Sequence, residues 1–138
     1  MNWFTWSLLS ALFAGLTAIL AKAGVSGVNS NLATAVRTTV VLVFAWAVAA
    51  FSKTEPLASL SRRTWIFLIL SGLATGASWL CYFRALQLGE ASKVAPIDKL
   101  SVVLAMLLAF LFLHERISWI QACGGTLIVA GAILIARG

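Results

Sequence analysis

Five long, predominantly apolar segments constrain this chain more than any other feature of its sequence. They cover residues 3–23, 31–52, 64–88, 92–113 and 117–136. Each is long enough to cross a hydrocarbon layer of about 30 Å as an α-helix. A non-helical crossing would leave backbone N–H and C=O groups without hydrogen bonds in lipid. The sequence therefore predicts an all-α integral membrane protein, a bundle of five transmembrane helices.

The composition excludes a soluble globule. Hydrophobic residues make up 62% of the chain and charged residues only 10%, whereas about a quarter of a soluble domain is charged. The net charge of +6 would suggest nucleic acid as the partner of a soluble protein. Here the basic residues punctuate apolar segments, so they indicate contacts with lipid headgroups and no nucleic acid.

The residues that usually carry catalysis or bind metals are scarce. Cys81 and Cys123 fall inside apolar segments without a CxxC pair, and His114 stands beside two charged residues at a predicted helix end. These positions predict neither a metal site nor a disulfide framework. The sequence contains no pattern typical of a catalytic triad or a phosphate-binding loop, so we expect no enzyme and no cofactor.

The loop charges do not specify one orientation in the membrane. With a cytoplasmic N-terminus, the inner loops hold Lys53, Arg62, Arg63 and Arg116, and the outer side holds Lys22, Arg84, Lys93 and Arg137. Orientation normally follows an excess of Lys and Arg in the inner loops. A balanced count predicts insertion in both directions, or else a modest bias set by the Arg62-Arg63 pair.

Charged residues within the apolar segments predict the functional site. Arg37 and Asp98 each lie about six residues, or roughly 9 Å, into a segment that enters from the same side. The third segment runs the opposite way and ends near that side. One layer is thus predicted to contain Arg37, Trp79, Tyr82, Arg84, Asp98 and Lys99.

Ionisable groups in a membrane span are costly and usually functional. We therefore predict that Arg37, Trp79, Tyr82, Asp98 and Lys99 bind a substrate or a coupling ion. The net positive layer favours an anionic or zwitterionic solute, and Asp98 is the candidate proton carrier. The alternative is a structural ion pair between Arg37 and Asp98, with Lys99 reaching the headgroups.

Small residues recur along one face of the third segment. Gly72 and Gly76 are four residues apart and continue towards Trp79 and Tyr82 at helical spacing. Such a stripe is typical of close helix packing, and it also leaves room for a solute beside the helix. Both interpretations stay open.

The C-terminal part carries a family resemblance. Leu113-His-Glu-Arg-Ile-Ser118, followed by Gln121, Gly125 and Gly131, resembles the pattern that closes each repeat of the drug/metabolite transporter superfamily, in its EamA-type branch. Glu115 is the acidic residue of that pattern. Shorter matches at residues 33–37, 84–89 and 95–101 extend the resemblance over four helices.

Larger members of that superfamily have ten helices, arranged as two five-helix repeats of opposite orientation. This chain is similar to one repeat, as in the single-repeat family of bacteria and archaea. The resemblance implies one transmembrane domain over residues 1–138 in a plasma membrane, with Gly125 and Gly131 as helix-packing positions. It also implies an antiparallel homodimer, or a heterodimer with a sister subunit, that moves a small polar or amphipathic solute by alternating access.

Two other functions stay open. One is a non-transporting accessory subunit of a membrane complex, and the other is a flippase subunit for lipids or lipid-linked sugars. Export of cationic drugs is disfavoured, because the small multidrug exporters of the superfamily use a carboxylate in the first helix and residues 3–21 contain none.

Overall fold

A computed structural model describes residues 2–52 and 54–138, and Lys53, one of the loop charges counted above, lies outside them. The α-helices are α1 (Trp3–Gly24), α2 (Ser30–Phe51), α3 (Arg62–Leu88), α4 (Ala91–Asp98), α5 (Leu100–Phe112) and α6 (Trp119–Arg137), with a 3-10 turn at Leu57–Ser59. No described residue belongs to a β-strand. The all-α prediction is confirmed.

Five helical spans are long and apolar enough to cross a membrane: α1, α2, α3, the α4–α5 stretch Ala91–Phe112, and α6. Their large apolar side chains face outwards. Phe51 is 94% exposed and Trp119 84% exposed, which would be untenable in water but suits a lipid solvent. The predicted five-span architecture is confirmed.

Local sequence explains where α2 begins. The side chain of Asn29 accepts hydrogen bonds from the N–H groups of Asn31 and Leu32 at 2.9 and 3.3 Å, and so caps α2. Gly27, just before it, has a φ of +75°, a conformation that glycine adopts without steric cost. The turn expected between the first two spans therefore ends in an N-cap.

The fourth span differs from the single continuous helix expected over residues 92–113. It consists of α4 and α5, divided at Lys99, where ψ is −8°. Pro96 lies inside α4, and proline has no N–H to donate to the preceding turn. The backbone N–H of Lys99 bonds to the carbonyl of Pro96, three residues back, at 3.1 Å. This tighter turn lies three residues after the proline and divides the span.

The helices form two compact units. The terminal unit consists of Met1–Lys22 and Leu88–Gly138, and within it α6 packs against α4 and α5. The ammonium of Lys22 donates a 2.8 Å hydrogen bond to the carbonyl of Gly89, which ties α1 to the start of the fourth span.

The central unit, Ala23–Gln87, contains α2 and α3. Its most buried side chains are Val25, Phe83 and Leu86, at 1%, 3% and 0% exposure. The expectation that residues 1–138 act as one domain concerns both units together, and it stays a prediction.

Candidate functional site

The central unit holds an arginine that is stacked on aromatic rings within a membrane span. Arg37 lies on α2, and its guanidinium carbon is 4.1 Å from the centre of the Trp79 ring and 5.4 Å from that of Phe83. Trp79 and Phe83 are four residues apart on α3, so their side chains lie one above the other. We call Arg37, Trp79 and Phe83 the arginine shelf.

The predicted proximity of Arg37 and Trp79 is thus present in the structure, while Phe83 was not foreseen. The sequence contained a usable signal, because Phe83 follows Trp79 by one helical turn. Tyr82, the other predicted aromatic residue, is half-buried on the same helix. Its role in binding stays a prediction.

Polar neighbours of Arg37 are occupied by the backbone of their own helix. The hydroxyl of Thr34 donates to the carbonyl of Ser30 at 2.8 Å, and that of Thr38 donates to the carbonyl of Thr34 at 2.7 Å. Such bonds satisfy a hydroxyl proton inside a membrane helix. The guanidinium is therefore the strong donor that this part of α2 presents.

Arg84, expected in the same layer, is exposed and donates a 3.0 Å hydrogen bond to the side chain of Gln87. The Gln87 amide in turn donates to the carbonyls of Val28 and, at 3.5 Å, Val25. Gln87 thereby holds the Val25–Val28 turn against the C-terminal end of α3. This arrangement was not predicted from the sequence.

In the terminal unit, Asp98 and Lys99 form an ion pair. The ammonium nitrogen lies 3.4 Å from a carboxylate oxygen, and the two side chains are 37% (Asp98) and 54% (Lys99) exposed. The pair is located where α4 meets α5. Arg37 belongs to the other unit, so the expected common layer of Arg37 and Asp98 stays a prediction, as does their structural ion pair.

An apolar cavity of about 450 Å³ lies between α5 and α6. Val103, Met106, Ala122, Val129 and Ile133 contribute to its wall. The polar Thr126 also lines it, but its hydroxyl already donates to the carbonyl of Cys123 at 2.8 Å. This cavity offers space for a hydrocarbon group and little to hold a charged one.

The four glycines predicted to pack helices have different surroundings. A Cβ atom at Gly125 would lie 3.8 Å from Met106, in ordinary contact, because α6 passes close to α5 there. At Gly72, Gly76 and Gly131, a Cβ atom would meet no described atom within 4 Å. Packing roles for Gly72, Gly76 and Gly131 stay predictions, and they would require contact with another surface or another chain.

The family-like segment between α5 and α6 forms two helix ends. His114 has a φ of +57°, and the N–H of Glu115 bonds to the carbonyl of Ala109 at 3.3 Å. Ser118 and Gln121 form a reciprocal capping box that starts α6, with bonds of 3.2 and 2.8 Å. Glu115 itself is exposed.

Within residues 2–52 and 54–138, no three His, Cys, Asp or Glu side chains are grouped as a metal site would require. Cys81 and Cys123 are free and exposed. The polar groups that stand out are therefore the arginine shelf and the Asp98–Lys99 pair.

Among the described residues, five apolar spans that carry charged and aromatic side chains indicate a multi-pass membrane protein of the kind that moves solutes. The EamA-like transporter family matches residues 1–137, and the chain belongs to this family. A protein of Sinorhizobium sp, named as an uncharacterized transporter in the cobO 3' region, is 52% identical over 136 residues, which are 98% of this chain and 96% of that protein. No solved structure matches the chain. The family prediction is confirmed, and it indicates a transporter rather than an enzyme.

Proposed function

We propose that the protein is one half of a secondary transporter that moves a small polar or amphipathic solute by alternating access. The observation that carries this proposal is the arginine shelf. Arg37 lies about 10 Å along α2 from Ser30. A charge at such a depth is costly in lipid and is usually retained for a function.

Membership of a transporter family supports the proposal, as does the relative's name. The working unit that we propose is an antiparallel homodimer, or a heterodimer with a sister subunit, in a bacterial or archaeal plasma membrane. Inverted repeats create a binding site near the midplane, and one repeat rocks against the other to open it on alternate sides. The balanced loop charges are compatible with two opposite insertions.

The side chains have separate roles in this mechanism. Arg37 attracts the solute, while Trp79 and Tyr82 form an aromatic wall. Asp98 binds the coupling ion, either a proton or a small cation, and Lys99 balances its charge when the ion leaves. The Asp98 carboxylate would thus pair alternately with the coupling ion and with the Lys99 ammonium. This alternation would couple release of the ion to the solute cycle.

A lipid flippase subunit is the second candidate, because the α5–α6 cavity has the apolar wall that an acyl chain would need. A non-transporting accessory subunit is the third. It would use the embedded charges only for docking.

Reconstitution into liposomes separates these functions. A panel of amino acids, nucleobases and cationic drugs tests uptake, and a fluorescent phospholipid tests lipid movement. We expect uptake of a solute that Arg37→Gln and Asp98→Asn abolish. Arg63→Gln is the matched control, since Arg63 also lies over an aromatic ring, Phe67 at 5.8 Å, but is exposed at the start of α3.

Three other results would contradict the transporter proposal or its mechanism. Movement of phospholipid alone favours the flippase. No movement at all, with substitutions that only weaken association with another subunit, favours the accessory function. Dual insertion is tested by C-terminal fusions to one reporter that is active inside the cell and to another that is active outside it. Both reporters should be active if the protein is an antiparallel homodimer, and a single active reporter excludes dual insertion.

A further inference from the structure

We infer that the arginine shelf binds the anionic group of the transported solute, a carboxylate or a phosphate monoester attached to an apolar body. This inference rests on the proposed function and specifies the class of substrate. Its grounds are the contact of Arg37 with aromatic rings, the absence of a nearby carboxylate among the described residues of the central unit, and the accessibility of the guanidinium.

The aromatic contacts fix the position of the charge. With Trp79 at 4.1 Å and Phe83 at 5.4 Å from its central carbon, the Arg37 guanidinium has an aromatic surface beside it. Cation–π contact of this kind holds an arginine without using its N–H groups. The planar fork of five N–H donors, which matches the two oxygens of a carboxylate or phosphate, therefore stays available.

No anion within the central unit neutralises this charge. Glu55 is the only acidic residue between Ala23 and Gln87. It comes after the C-terminal end of α2, and that end lies about 21 Å from Arg37 along the helix. Its carboxylate accepts a hydrogen bond from Ser59 at 3.4 Å. Among the described residues of this unit, no carboxylate lies within 4.0 Å of the guanidinium.

The guanidinium is nevertheless reachable. Arg37 and Trp79 are both half-buried, whereas Phe83 beneath them is buried. A ligand can approach the N–H edge of Arg37 and place its apolar body against the exposed part of the Trp79 ring. A partly desolvated cation with no carboxylate beside it among the described residues of its own unit attracts an anion and repels a cation.

Binding should be measured on the full chain in nanodiscs of phosphatidylcholine, by calorimetry. The probes are benzoate and phenylphosphate, their uncharged relative benzamide, and the cation benzylammonium. We expect both anions to bind and the other two probes not to bind. Arg37→Gln should weaken binding of the anions by about tenfold or more, because charge-assisted hydrogen bonds are lost.

Two further variants keep the test sharp. Arg37→Lys retains the charge but lacks the planar fork, so it should bind the anions more weakly than the wild type and more tightly than Arg37→Gln. Arg63→Gln should bind like the wild type. Unchanged anion binding in Arg37→Gln, or tighter binding of benzylammonium than of benzoate, overturns the inference. Monodisperse elution and an unchanged helical circular dichroism spectrum confirm that each variant is folded.

The anion could belong to a free solute or to a lipid headgroup, and one arm separates the two. Binding is repeated in discs in which part of the phosphatidylcholine is replaced by phosphatidylglycerol. Unchanged affinity assigns the shelf to free solutes. Affinity that falls equally in the wild type and in Arg63→Gln, which both keep Arg37, assigns the shelf to lipid phosphate. Either result supports an oxyanion site.

Different results would contradict the proposed substrate class and the proposed transporter function. Anion binding that depends on Arg37, without uptake of any anion, supports the site and contradicts transport. Uptake of neutral or cationic solutes by both the wild type and Arg37→Gln supports transport and overturns the site.

Discussion

Replacing Gln87 by methionine removes the side-chain hydrogen bonds that hold the turn after α1 against the end of α3. The Gln87 amide donates to the carbonyls of Val28 and Val25 and accepts from Arg84. Methionine has a similar length but no amide, so the change removes these bonds with little loss of packing. Its effect should therefore report the strength of the tether.

The bond to Val28 dominates the expected magnitude, because a net intramolecular hydrogen bond contributes about 0.5–1.5 kcal/mol. The contact with Val25 is long at 3.5 Å, and that carbonyl also accepts from the N–H of Val28 at 3.4 Å. The bond from Arg84 is exposed and adds little. The free energy of unfolding should thus fall by about 1–2 kcal/mol.

Titration with SDS from mild-detergent micelles, followed by circular dichroism, measures this free energy. Arg84→Met is the matched control, since it removes only the exposed bond and should change the free energy of unfolding by less than about 0.5 kcal/mol. If Gln87→Met is as stable as Arg84→Met, the tether is unimportant. Burial of Val25 and Leu86 would then hold the turn by itself.

Substitutions at three other positions can be measured by the same titration. Ser118→Ala removes the capping box with Gln121 and should lower the free energy of unfolding by about 1 kcal/mol; a neutral effect would mean that α6 starts without its cap. His114→Gly should be at least as stable as the wild type, whereas His114→Val should be less stable by about 1 kcal/mol or more, because a branched side chain is strained at a φ of +57°; the reverse order would refute this backbone argument. Gly125→Ala should be tolerated, while Gly125→Leu should lose about 1–3 kcal/mol by displacing Met106, and equal stability of the two would contradict close packing of α5 and α6.

The five spans could be predicted because a bilayer imposes a length on any apolar helix. The shared depth of Arg37 and Trp79 followed from counting residues inward from the predicted helix ends. The depth of a residue in the membrane depends only on its distance along its helix, and the fixed rise per residue gives that distance from the sequence.

The features that were not predicted depend on the rotation of each helix about its own axis, on the reach of side chains and on the geometry of loops. Phe83 joins Trp79 because both lie on the face of α3 that meets Arg37, and Gln87 bonds to carbonyls whose positions follow from the turn after α1. The capping box of Ser118 and Gln121 had been visible, since the Ser-x-x-Gln spacing is a known helix start. Pro96 was also a visible signal that the fourth span is not a regular helix.

Five crossings are an odd number, and this has a consequence for joining copies of the chain. A short linker from the end of one copy to the start of another would begin the second copy on the opposite face of the bilayer, and so turn it upside down. Tandem fusion alone therefore converts two identical units into an inverted pair. Two copies in the same orientation would instead require an additional membrane-crossing segment between them.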